Sequence, residues 1–310
     1  MNDRRGFIGS SEISIVMGLN PFKSPLQLWA EKTGKVEPDD LSTNEAVEWG
    51  TRLEEVVAAK FAEKHGVKLI AYKKRFVHPT YKFLTCELDR LIAGTDEIVE
   101  VKTMNAWKYK DISQDEGVPE HIICQVIFAL GLSKRKKAHV AILIGGNRYF
   151  EREVIFDQDL FDLMVKQAVV FWEMVEHDIP PMAEGMDNPF MVELYPTNDE
   201  QMQQINELND KVGYLQQVKG NIDAMEAEKD KLEAEIKAVI GASMGFKTVE
   251  YAVTWKSQQR TDIDREKLKS DGLYEKYVTK SQARYLRVKK TQGESNGNSR
   301  INQTAVAEKR

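Results

Sequence analysis

Between Phe83 and Lys102 two runs of alternating apolar and polar residues are joined by Gly94-Thr95. Side chains alternate across a strand with a period of two, and a Gly-X pair suits a two-residue type II′ turn, so the segment predicts a β-hairpin. With Gly94-Thr95 as the turn, Ala93 faces Asp96, Leu91 faces Ile98 and Asp89 faces Glu100. Glu100 and Lys102 then share one face, with Val99 and Val101 on the other. Opposed carboxylates on neighbouring strands repel unless something positive lies between them. A hard divalent cation such as Mg²⁺ takes one or two carboxylates, a carbonyl and water. A lysine two residues on can orient or deprotonate an attacking water. Glu-x-Lys by itself reads as a solvated strand face; the facing Asp89 is what brings in the metal.

The segments around this hairpin predict a mixed α/β domain over residues 1–195. Short helices follow Ser10-Ser11-Glu12 and Ser24-Pro25, the second closing at Gly34, and a longer one runs from Asn44 to Lys64 before Gly66. Extended segments fall at Val67–Tyr72, Phe83–Ala93 and Asp96–Thr103. A helix from Pro119 closes at Gly131. Ala138–Ile144 and Arg148–Phe156 read as a hairpin, followed by a helix from Asp159 to His177. In the long helix Glu54 shares an apolar stripe with Val57, Ala58 and Phe61, so its carboxylate either finds a partner or reaches water past its stem. Gln125 lies among Ile122, Ile123, Val126 and Ile127, either as an amide satisfied by backbone or as a site residue.

Pro180 to Pro196 reads as a linker. Beyond it apolar residues recur at three- and four-residue steps from Ile205 to Val239, predicting one long amphipathic helix or a helical hairpin interrupted at Gly213 or Gly220-Asn221. The steps slip near Val218, short of a clean two-stranded coiled coil. Lys247–Trp255 and Arg284–Lys289 read as strands around a short helix near Asp264–Leu268, so 196–290 forms a long-helix and basic α/β extension. Residues 291–310 read as a disordered tail.

Charge matters here because it is uneven. Residues 1–195 carry 24 Lys and Arg against 31 Asp and Glu, whereas 243–290 carry 12 against 6, a basic block on an acidic body. Such a block can hold a polyanion locally, or simply be a solvated surface. Within it Lys276, Lys280, Arg284, Arg287, Lys289 and Lys290 interleave with Tyr274, Tyr277 and Tyr285, a mix suited to single-stranded DNA. Lys134-Arg135-Lys136-Lys137 reads as a solvated loop or a contact for the phosphate backbone. Two cysteines, Cys86 and Cys124, exclude a four-cysteine zinc or iron–sulfur site, and the five histidines show no zinc spacing. No phosphate-loop motif, membrane-length apolar run or signal peptide is found, so a cytoplasmic protein without a membrane partner is expected.

The order Glu54, Asp89, Glu100-Val101-Lys102 and Gln125 resembles the PD-(D/E)xK nuclease core, and more narrowly the lambda-exonuclease-like, YqaJ-type viral recombinase nucleases. Arg4 to Ile13, Asn20 to Pro25, Trp29 to Gly34 and Trp49-Gly50 before Leu53-Glu54 are similar to that family's opening elements. The resemblance covers about residues 4–180. Leu88 and Arg90 stand where the family often has Pro and Gly. The resemblance implies an α/β (α+β), restriction-endonuclease-like core, a central mixed sheet flanked by helices. It implies that Asp89, Glu100 and the Val101 carbonyl ligate catalytic Mg²⁺ (or Mn²⁺), with Glu54 completing the site. Lys102 would activate or orient water, and Gln125 would support the site. Arg4 or the adjacent Arg5, with Ser11, falls where the family binds a 5′-phosphate.

By the same resemblance the expected activity is 5′→3′ degradation of one strand at double-stranded DNA ends, leaving 3′ overhangs for a RecT-type single-strand annealing protein. The expected assembly is a homo-oligomer, a trimer by family likeness. The alternatives are an endonuclease built on the same core and a non-catalytic recombination adaptor.

Overall fold

The computed structural model describes residues 4–107, 109, 117–198, 201–279 and 284–288. The proposed tail, together with Lys280, Lys289 and Lys290 of the basic set, lies outside these residues. The chain separates into two units, Met1–Pro196 and Thr197–Arg310.

In the first unit the elements run β1 (Ile8–Gly9), α1 (Ile13–Val16), α2 (Pro25–Lys32), α3 (Glu45–His65), β2 (Leu69–Val77), β3 (Leu84–Ile92), β4 (Glu97–Met104), α4 (Glu120–Ser133), β5 (Lys137–Ile144), β6 (Arg148–Ile155), α5 (Gln158–Glu176) and α6 (Met191–Leu194). They form the expected α/β core. A mixed sheet of order β1-β3-β4-β5-β6, with β2 also on β3, has β4 parallel to β5 and antiparallel to β3. Two apolar layers cover it. Ile98, Val140 and Ile142 pack with α4 and α5 residues, among them the fully buried Phe128 and Leu130, while Val99, Val101 and Ala141 pack with Val57, Ala58 and Phe61 of α3. Successive residues of β4 and β5 thus serve opposite cores, as the period of two requires of a central strand.

Local chemistry sets the ends of the elements. Ser24 caps α2 with Gln27 returning the bond, and Asn44 caps α3, which ends on Gly66 at φ +62°. The β3–β4 connection is not the expected two-residue turn. It spans residues 93–96, with Gly94 at φ +79° in a turn closed by the Thr95 N–H on the Ile92 carbonyl. Positive φ at that third position is the demand of a type II turn, which glycine meets without strain. Gly131 does not stop α4. The helix continues to Ser133 and is capped by Lys134 in the left-handed region, because Gly131 is where the Phe161 ring packs: a Cβ there would lie 2.2 Å from Phe161 Cδ2.

The expected linker is partly anchored. Asp187, wholly buried, accepts a hydrogen bond from Ser24 Oγ, and Leu194 of α6 is buried.

In the second unit α7 (Asn209–Ile240) is one continuous helix, uninterrupted at Gly213 or Gly220. The single strand expected over Lys247–Trp255 is a hairpin of β7 (Gly245–Lys247) and β8 (Ala252–Thr254), folded where the Thr248 hydroxyl accepts the Glu250 and Tyr251 N–H groups. Short helices α8 (Arg265–Ser270) and α9 (Tyr274–Tyr277) follow. Residues 284–288 form no strand, so the expected strand at Arg284 is not present there. Among the described residues no helix is long and apolar enough to cross a membrane.

Candidate active site

The site begins with an irregularity in β3. On the β2 side Ala71 pairs with Arg90 but Tyr72 pairs with Leu88, so Asp89 is an extra residue, a bulge. A bulge reverses the facing of the residues after it and re-aims its own side chain. Leu84, Cys86 and Leu88 accordingly join the α4-side core, whereas Ile92 joins the α3-side core.

On its other edge β3 pairs with β4 at Arg90–Val99 and Leu91–Ile98, and with β1 at Ile8–Leu84 and Gly9–Thr85. Leu91 and Ile98 therefore face each other as the sequence predicts. The ladder ends one step before Asp89 and Glu100 would pair. Instead Asp89 Oδ2 accepts the Val101 N–H at 2.9 Å.

Glu100 is 3% exposed in the interior strand β4. Its Oε1 accepts from Lys102 Nζ at 2.6 Å and from Gln125 Nε2 of α4 at 2.6 Å. The Gln125 amide is thus a partner of the acidic group rather than of backbone. Burial pushes the Glu100 carboxyl up to about 7; Lys102 opposes the shift, and the nearby Asp89 and Glu54 charges add to it. Burial lowers Lys102, but the Glu100, Asp89 and Glu54 charges outweigh it and the ammonium is raised.

Glu54 sits at the border of this group with its carboxylate turned to Arg90, Nη1 to Oε1 at 2.8 Å. Arg90 also holds Glu55 at 2.7 Å and donates to the Asp89 carbonyl at 2.7 Å. Arg90 therefore ties the bulge to α3, a role the sequence reading did not assign. Among the described residues no group of three or more His, Cys, Asp or Glu has converged at metal-holding distance. What is assembled is a pair of carboxylates, Asp89 and Glu100, next to the Val101 peptide. That hard-oxygen donor set suits a divalent cation of the Mg²⁺ class, which would favour the charged form of a carboxyl that burial holds toward neutrality.

A second cluster forms at the N-terminus. Arg4 Nη2 donates to Ser11 Oγ at 3.2 Å and lies 3.5 Å from Glu12, whereas Arg5 pairs with Glu37 at 2.6 Å. Arg4 is therefore the arginine beside Ser11. Beneath it the buried Lys32 donates to the carbonyls of Arg4 (2.7 Å) and Phe7 (2.6 Å) and to both oxygens of Glu12 (3.0 Å). Burial lowers its pKa against the pull of Glu12. The sequence reading places Lys32 and Glu12 inside family-like segments but gives neither a role. The available signal was that Lys32 lies three and four residues after Trp29 and Leu28, on the buried stripe of α2.

Lys134 to Lys137 are not gathered with either cluster. Arg135 reaches Asp96 at 3.4 Å, Lys137 reaches Glu153 at 2.7 Å, and Lys136 lies over the Phe156 ring. In the second unit Tyr277 and Tyr285 of the basic set are exposed.

The sequence profile of the YqaJ-like viral recombinase domain matches residues 1–136. The uncharacterized protein YqaJ of Bacillus subtilis (strain 168) is 33% identical over 307 residues, covering 93% of this chain and 92% of the relative. Among solved structures, the alkaline exonuclease LHK-Exo of Laribacter hongkongensis has a TM-score of 0.48 at 18% identity, covering 57% of this chain and 91% of that one. A phage-related exonuclease from Haemophilus somnus 129PT has a TM-score of 0.43 at 13% identity, covering 56% and 95%.

Proposed function

Because the chain belongs to the YqaJ family, we propose that it is a Mg²⁺-dependent DNA exonuclease of phage recombination, removing the 5′-ended strand of linear duplex DNA. The observation that carries the reading is the buried Glu100 carboxylate, held between Lys102 and Gln125 with Asp89 on the adjoining strand. A buried carboxylate with a raised pKa, next to a second carboxylate and a lysine, is the kind of perturbed cluster that marks active sites.

Asp89, Glu100 and the Val101 carbonyl would hold Mg²⁺, with Mn²⁺ as a substitute. When bound there the ion supplies a water of lowered pKa and positive charge for the scissile phosphate. Lys102 orients that water or neutralises charge developing on the phosphate oxygens. Gln125 fixes the Glu100 rotamer through its amide. Arg90 holds Glu54 next to the site, from where its carboxylate can reach a bound water. Arg4 and Ser11 bind the 5′-phosphate, on a loop held rigid by Lys32. The 3′ overhang so produced is the substrate of a RecT-type annealing protein.

Linear duplexes labelled at the 5′ or the 3′ end, digested with Mg²⁺ beside covalently closed circles, test this reading. Release of the 5′ label with the circles intact is expected. Cut circles would replace the exonuclease with an endonuclease. DNA binding without Mg²⁺-dependent cleavage would leave a recombination adaptor.

A further inference from the structure

α7 carries an apolar seam that the nuclease reading does not use. From Leu215 to Val239 the seam residues recur at strictly alternating three- and four-residue steps, and Lys229 is the one polar side chain among them. Counted from Leu215 the heptad is unbroken; the slip near Val218 belongs to Val212, which flanks the seam. Alternating steps of three and four average 3.5 residues, the period that keeps a seam facing a partner helix in a coiled coil. Most of these side chains are exposed, Met225 by 71% and Val239 by 77%. A helix of 32 residues is about 48 Å long, and so long an exposed seam on one helix calls for a matching one.

We propose that α7 pairs with α7 of a second copy of this chain as an antiparallel two-stranded coiled coil. The symmetry of the apolar layers about Ala227 argues for a second copy as the occupant, and charge favours the direction. In a parallel pair Lys229 would meet Lys229 in the seam, and Glu228 would flank the partner subunit's Glu233, both repulsive. In an antiparallel pair centred near Ala227, Leu215 meets the partner's Val239, Val218 meets the partner's Ile236, and Ile222 meets the partner's Leu232. These apolar layers occur twice by symmetry. Met225 meets the partner's Lys229 on either side of the centre. Lys219 then flanks the partner's Glu233, and the Lys229 of each copy enters the centre, where it offsets the Glu226 and Glu228 pairs that meet across the two-fold. A single polar residue in a seam fixes register at some cost in stability, and here it selects the antiparallel alignment in which every apolar layer is filled.

Sedimentation equilibrium of the full chain, wild type beside Ile222→Glu/Leu232→Glu, tests the pairing. The proposal expects the assembly to lose mass in the double variant, by half where α7 is the contact that joins the copies, with the main thermal transition retained as the sign of a folded protein. An unchanged mass would overturn it. Direction is read by mild oxidation of Val218→Cys and Ile236→Cys variants, Cys86 and Cys124 being buried. A mixture of the two cross-links in the antiparallel pair, and neither variant cross-links alone. Self-cross-linking of either single variant would overturn the antiparallel arrangement.

Discussion

Asp89 Oδ2 accepts the Val101 N–H at 2.9 Å, at the point where the β3–β4 ladder has stopped. The carboxylate stands in for the strand, satisfying a backbone donor that would otherwise be orphaned. One bulged residue thus opens the sheet, supplies an acid and holds the next strand in place. The last two of these roles are separable by mutation. Asp89→Asn keeps an acceptor oxygen but loses the charge, so the melting temperature stays close to wild type while cleavage falls at least ~100-fold. Asp89→Ala also strands the Val101 N–H and costs about 1–3 kcal/mol. Thermal melts beside initial cleavage rates read both; equal destabilisation by the two variants would contradict the assignment.

Gln125 donates to the same Glu100 oxygen as Lys102 but, in this account, touches no substrate. Positioning partners of this kind typically contribute about 10–100-fold in activity or metal affinity. Gln125→Ala is expected to fall in that range, with the Mg²⁺ concentration for half-maximal rate shifted upward. A variant as inactive as one lacking Lys102 would mean that Gln125 acts on the reaction directly.

Gly131 offers a test of packing. Alanine is the better helix former by ~1 kcal/mol, yet its Cβ would enter the Phe161 ring at 2.2 Å. Gly131→Ala should therefore destabilise by about 1–3 kcal/mol through overpacking. Denaturant titration settles the sign, and a stabilised variant would show that Phe161 moves aside freely.

Acid sensitivity has a local source away from the site. Burial raises the Glu151 carboxyl, but hydrogen bonds from Lys64, Tyr149 and His65 outweigh it and leave the pKa below the ordinary 4.5. A depressed acid adds stability above its unfolded pKa and loses it as pH falls through the folded value. Glu151→Gln should lower the melting temperature at neutral pH, and the gap to wild type should close as pH drops below 4.5. A gap that persists in acid would place the effect in packing instead of charge.

Much of the candidate site was legible because its residues obey simple periods. Alternation along β4 puts Glu100 and Lys102 on one face, and a lone amide among Ile122, Val126 and Ile127 marks Gln125. The Leu91–Ile98 register followed from the glycine pair, although the turn itself is longer than expected. Alternation assumes a regular strand, so it could not foresee the Asp89 bulge, nor that the Val101 N–H would take the carboxylate. Arg90 reads in sequence as one more strand charge; only the fold brings α3 near enough for it to claim Glu54. Gly131 misled because a glycine late in an apolar helix signals a stop unless the residue packed on it is known, and Phe161 lies thirty positions on.

The central claim is that Glu100 and Lys102 form a hydrolytic site for DNA. Lys102→Met keeps the stem that packs beside Glu100 and removes the ammonium, so it is the most direct probe. Wild type and variant, matched for melting temperature, would be compared on a linear duplex with 5′-phosphate ends in Mg²⁺. Loss of cleavage with DNA binding retained is the predicted result. A folded Lys102→Met protein that digests the duplex at the wild-type rate would contradict the account.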